Sequence, residues 1–129
     1  MTRPVRLTVV KRGLDRDLID RLLPAETSIE RCPAFEDGQE FLFEGWPAKP
    51  AGFCDMAWQA IHAGLMLCWF DADLSSVTIP NKWQACCPDG LRPVAFLIEP
   101  IGSSRPAVGN QKKEGANDRR VFDRPDWRR

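Results

Sequence analysis

The stretch "FCDMAWQAIHAGLMLCWF", Phe53 to Phe70, constrains the fold more than any other part of the chain. Its only polar side chains are Asp55, Gln59 and His62, and strong helix formers dominate it. A helix that is apolar nearly all round is expected to be buried nearly all round. A chain of 129 residues can enclose one such helix only by laying its other elements against it. Gly64, inside the run, marks an expected close approach to another backbone.

Those other elements are short. "VRLTVVKR", Val5 to Arg12, is rich in β-branched residues and reads as a strand that Gly13 breaks. Leu14, Leu18, Ile19, Leu22 and Leu23 share one face of a short amphipathic helix, with Asp15, Asp17 and Asp20 opposite, and Pro24 stops it. Asp37-Gly38 signals a turn before a second strand, Glu40 to Glu44. Gly45 to Gly52 holds two prolines and two glycines and reads as loop. "SSVTIP", Ser75 to Pro80, is expected as a third strand, and Val94 to Ile98 as a fourth. The fold class expected is α+β: one domain over residues 1–102, a small curved, mostly antiparallel sheet packed on one buried central helix. An extended C-terminal tail, residues 103–129, completes the chain.

The tail differs in kind from the body. It carries eight Lys/Arg against four acids, so it is +4 and the body is −4. Gly, Ser, Asn and charge dominate it, leaving little to bury against the entropy of ordering. Val121, Phe122 and Trp127 are the exceptions and read as anchors for another surface. The basic residues are interrupted by acids, which disfavours nucleic acid as the partner. No run approaches the length of a membrane span, and the apolar run near the N-terminus is too short for a secretory signal. A cytoplasmic, reducing location is therefore expected.

Reducing conditions turn attention to the five cysteines. Cys54 and Cys68 share a helix face but lie about 21 Å apart along it, too far to share one metal ion. Cys32, Cys54, Cys86 and Cys87 instead sit at the ends of elements, where a small domain could bring them together around zinc or an iron–sulfur cluster. No C-x-x-C pair supports that set. Cys54, at a helix start, also has the position that favours a thiolate. The single histidine, His62, cannot reach Cys54 along a straight helix, and is expected to be hydrogen-bonded at the helix edge. Cys86-Cys87 runs into Pro88-Asp89-Gly90, the composition of a tight turn. Cys87 is expected as a structural or ligand thiol beside that turn and Cys86 as its core-facing neighbour, neither a nucleophile. Glu99 is placed to pair with Arg92.

"GFCDMAW" followed by Ile61, and "CCPDGLRPVAFLIE", resemble a family of small uncharacterised prokaryotic proteins without an assigned activity. The family's pattern is a Cys-containing turn before G-D-x-F, a G-x-C-x-x-A helix start and a closing C-P-D-G…V-x-F-x-I. Here Cys32, Gly38 and Phe41 fit the first block, Gly52, Cys54, Ala57 and Ile61 the second, and Cys87 to Gly90 with Val94, Phe96 and Ile98 the third. The match spans roughly residues 5–10 and 31–100. Gln39 stands where the family often has Asp, and Phe35 near a family histidine; the helix Leu14 to Leu23 looks inserted and the tail added. The resemblance implies that Cys32, Cys54 and Cys87 belong together, and nothing about a reaction.

No phosphate-binding glycine loop or recognisable catalytic set occurs. The leading expectation is a non-catalytic small subunit or accessory domain of a larger metabolic enzyme complex. Trp46, Phe122 and Trp127 would bind a larger protein subunit or another copy of the chain. A cysteine-ligated metal domain and a small cysteine-thiolate enzyme are the alternatives.

Overall fold

β1 (Val5–Arg12) and β2 (Glu40–Phe43) form where β-branched and aromatic residues alternate with polar ones. The structure, a computed structural model, describes residues 2–46 and 49–102. The expected tail, with Phe122 and Trp127, lies outside the described residues. Between the two strands runs α1 (Arg16–Leu22), whose N-cap Asp15 accepts a hydrogen bond from the Leu18 amide. α2 (Asp55–Trp69) follows, then β3 (Trp83–Cys86) and β4 (Val94–Pro100).

The strands make one curved, open, antiparallel sheet in the order β2-β1-β4-β3. β1 and β4 are central, β2 and β3 are edges, and α2 carries the chain from one edge to the other across one face. The α+β architecture inferred above is the observed one. Alternation decides which side chains meet the helix. Val5, Leu7 and Val9, Phe41 and Phe43, and Val94, Phe96 and Ile98 all point inward and are buried against Ala57, Ile61, Leu65 and Cys68 of α2. Phe35, Phe53 and Leu74 close the ends of this core.

Two expectations about the elements change. Ser75 to Pro80 forms turns, not a strand: Asn81 donates to the Leu74 carbonyl, Lys82 to that of Ile79, and Asn81 has φ +63°. The third strand lies further on, where Trp83 and Ala85 face inward opposite Ile98 and Phe96. Nor is α2 buried all round. The sheet covers one side only, so Met56 and Met66 remain 63% and 47% exposed.

The opposite sheet face carries no helix among the described residues and is held by charge. Arg6, cross-strand from Glu99, donates to it at 3.0 Å, and Lys82 approaches its other oxygen at 3.3 Å. Glu99 thus pairs with Arg6 and Lys82, while Arg92 pairs with Asp89 instead. Burial raises the Glu99 pKa, but the hydrogen bonds from Arg6 and Lys82 outweigh it and hold the carboxyl below its usual range.

The β3–β4 connection shows why a Pro-Asp-Gly sequence folds as it does. Asp89 Oδ1 accepts from the amides of Leu91 and Arg92, both at 3.0 Å, closing the loop from within. The Arg92 amide bond is the main influence holding the Asp89 carboxyl below its ordinary pKa. A depressed folded-state pKa means stability that is present above the unfolded value of about 3.9 and lost as pH falls through the folded one. Asp89→Ala is expected to cost about 1–2 kcal/mol at pH 7 in urea unfolding, and Asp89→Asn less because it keeps one acceptor. Both variants should lack this contribution to acid unfolding below about pH 4.

Candidate functional site

The cysteines were the residues most open to chemistry, and the fold separates their roles. Cys87 is half-buried against the core and takes part in the turn: its amide donates to the Val94 carbonyl at 3.0 Å, and its Sγ accepts from the Val94 amide at 3.2 Å. Cys86 points the other way and is exposed, which reverses the expected orientation of the pair. The reason is strand parity. Trp83 and Ala85 fill the inward positions, so Cys86 must face out. Partial desolvation and then the neighbouring Cys87 push the Cys86 thiol up, which works against a thiolate nucleophile.

Cys32 and Cys54 are also half-buried at the rim of the core. Cys54 is the N-cap residue of α2, and its thiol makes no capping bond. Cys68 is buried, donates to the Ile98 carbonyl at 3.6 Å and has its thiol pushed up by burial to about 11. Among the described residues, no group of three or more His, Cys, Asp or Glu side chains is placed to hold a metal ion. The set Cys32, Cys54, Cys86 and Cys87 is therefore not assembled into a coordination shell. Phe35, near the position of the resembled family's histidine, is core: its ring lies edge-on to Phe41, Phe53 and Phe96 at 5.9, 5.2 and 5.2 Å.

What the fold does assemble is an aromatic cluster beside an apolar surface. Phe43 contacts Trp46, Trp58 and Trp69 at centroid distances of 5.0, 5.6 and 5.1 Å. His62 sits between Trp46 and Trp58, 5.0 and 5.1 Å from each ring. Its Nδ1 is 2.6 Å from the Trp58 carbonyl, one turn earlier in the helix, so Nδ1 carries the proton and donates. This is the helix-edge hydrogen bond expected from the sequence. Trp46 follows Gly45, whose φ of +141° suits glycine and leaves room for the Trp69 ring.

From His62 the surface continues along α2. Met56, Gln59, Ala63, Met66 and Phe70 fall within about 80° of one another in helical projection and span about 21 Å. All five are exposed. No family model, curated protein or solved structure matches this chain. Its function must be read from the surface itself. Between Asp55 at one end and Asp71 at the other, that stripe holds a single polar side chain, Gln59.

Two features had no sequence signal. Arg3 and Asp71 form a largely buried ion pair at 2.9 Å, tying the chain before β1 to the end of α2. Asp71 adopts φ +56°, and neither Arg3 Nε nor Asp71 Oδ2 has a hydrogen-bond partner. The other is the exposed face of α2. Its composition was read as a sign of burial, because a sequence does not reveal how many sides of a helix the sheet will cover.

Proposed function

We propose that this chain is a non-catalytic accessory domain or small subunit that docks an amphipathic helix of a larger protein subunit. The outer face of α2 and the adjoining Trp46 form the docking surface. The observation that carries this reading is the continuity of exposed apolar side chains. Met56 (63%), Met66 (47%) and Phe70 (55%) are exposed along the outer face of α2, and the exposed Trp46 (42%) stands against His62 of the same helix. Side chains of this kind are enriched among the anchors of protein interfaces. Small Ala63 at the middle of the stripe lets a partner helix approach closely. The absence of a basic residue in the last turn of α2 suits the positive N-terminal end of an antiparallel partner helix. In the same reading Phe122 and Trp127 are further anchors contributed by the basic tail.

A photo-reactive side chain introduced at Ala63 in the native host tests this. The expected product is one adduct with a larger chain, mapped by mass spectrometry to an apolar helix and lost when Met66→Asp is added. Met66→Asp itself should leave the melting temperature nearly unchanged, because the side chain is already in water, yet weaken the complex by about 2 kcal/mol, roughly 30-fold. A self-adduct would make the face a homodimer contact and remove the larger-subunit reading. Failure to cross-link at all would remove the docking surface.

A further inference from the structure

Seven of the ten Lys and Arg side chains among the described residues are in ion pairs: Arg3, Arg6, Arg12, Arg21, Lys49, Lys82 and Arg92. The three that are not are Lys11, Arg16 and Arg31. All three line one cleft of about 600 Å³. That coincidence stands out in a body with a net charge of −4, where acids to pair with are plentiful.

The fold places each cation there for a different reason. Lys11 owes its position to a bulge in β1. Val9 pairs with Phe96, but the next residue in register with β4 is Lys11, opposite Ala95. The extra residue, Val10, shifts the alternation by one, so Lys11 joins Ala95 on the face away from α2 instead of following Val9 inward. Arg16 opens α1, which is fixed to the β3–β4 loop by the Asp15 amide donating to the Leu91 carbonyl at 3.0 Å. Arg31 comes from the loop before β2. Its neighbour Cys32 is held by the Arg12 guanidinium, which donates to the Cys32 carbonyl at 3.1 Å.

Asp15 is the one acid in the lining, and its Oδ1 is occupied by the Leu18 amide. Formal charge of the lining is therefore +2, with Asp37, already paired to Arg12, attracting Arg31 from outside it. Leu14, Pro93 and Ala95 supply an apolar wall. The volume falls within the range of small-molecule sites and exceeds what a bare phosphate ion needs. Arginine matches the oxygen geometry of phosphate with its planar fork, and a dianion balances the excess charge.

We propose that this cleft binds a small organic molecule bearing a phosphate, held by Lys11, Arg16 and Arg31 with its organic body against Leu14, Pro93 and Ala95. The site is independent of the docking face on α2, since Lys11 and Ala95 lie on the opposite side of the sheet. A ligand here would make the domain a binder of phosphorylated metabolite as well as of protein.

Titration calorimetry of the full chain at pH 7.5 and low salt tests this with three probes. Phenyl phosphate supplies the dianion and an apolar body, phenyl sulfate the same body with one charge, and inorganic phosphate the charge without the body. Phenyl phosphate is expected to bind most tightly. Arg16→Gln and Arg31→Gln should each weaken it about tenfold or more, with Lys11→Gln close behind. Arg21→Gln, a paired cation on the exposed side of α1, should change nothing, and the melting temperatures of the cleft variants should stay within a few degrees of the parent. The proposal is overturned if phenyl phosphate fails to bind at millimolar concentration, if phenyl sulfate binds equally well, or if Arg21→Gln weakens binding as much as the cleft variants do.

Discussion

Gly64→Val is expected to lose about 3 kcal/mol of stability or more, and Gly64→Ala about 2 kcal/mol. A Cβ at Gly64 would lie 2.1 Å from Cδ1 of Trp83 and 2.8 Å from its Cγ and Nε1. The close approach is to an indole ring, and not to the backbone expected from the sequence. Trp83 opens β3, with its side chain packed against the core, so the ring cannot move aside without loosening the edge strand from α2. Helix propensity acts in the other direction, since alanine favours a helix interior over glycine by about 1 kcal/mol. The two effects separate in a Trp83→Ala background. There the obstruction is gone, and Gly64→Ala should become neutral or stabilising. Urea unfolding of the four chains measures this directly. A Gly64→Ala penalty that persists without Trp83 would show that the ring is not the cause.

Phe96→Ala should be the most damaging single truncation in the sheet. Phe96 is fully buried in the central strand β4, cross-strand from Val9, with Phe35 at 5.2 Å and Phe53 at 5.4 Å. Removing the ring forfeits its transfer free energy and leaves a cavity that its two aromatic neighbours are too rigid to fill. The expected cost is about 3–5 kcal/mol. At roughly 4–8 °C per kcal/mol for a domain near this size, the melting temperature should fall by well over 10 °C. Leu97→Ala, one residue on, provides the contrast. Leu97 points to the other face and is only half-buried, so its loss should cost about 1 kcal/mol. Equal losses at the two positions would mean that the register of β4 is wrong.

Much of the fold was legible because its signals are local. The β-branched run at Val5 to Arg12, the Asp15 cap and the Asp89 turn each specify their own backbone over a few residues. The third strand was misplaced for a related reason. "SSVTIP" has β-branched composition without a partner to pair with, whereas Trp83 to Cys86 has ordinary composition and a partner in β4. Strand propensity is expressed only where cross-strand contacts reward it. The Cys86-Cys87 pair failed similarly: adjacency fixes that the two point to opposite sides, but not which of them points in.

The candidate surfaces were less legible still. Trp46 was marked by its type and its place in a loop. Lys11, Arg16 and Arg31 were not marked at all, being scattered over 21 positions of an unremarkably charged segment. Their convergence needs a bulge, a helix start and a loop to be set side by side.

The amino-acid order alone determined that a strongly apolar helix would lie on an antiparallel sheet, because periodicity and turn chemistry act between near neighbours. Only the tertiary structure decided that the sheet would cover one side of that helix, leaving the other exposed, and that the three cations outside the ion pairs would share a cleft. Both depend on which distant segments come into contact, and the free energy of those contacts is not written in any short stretch of sequence.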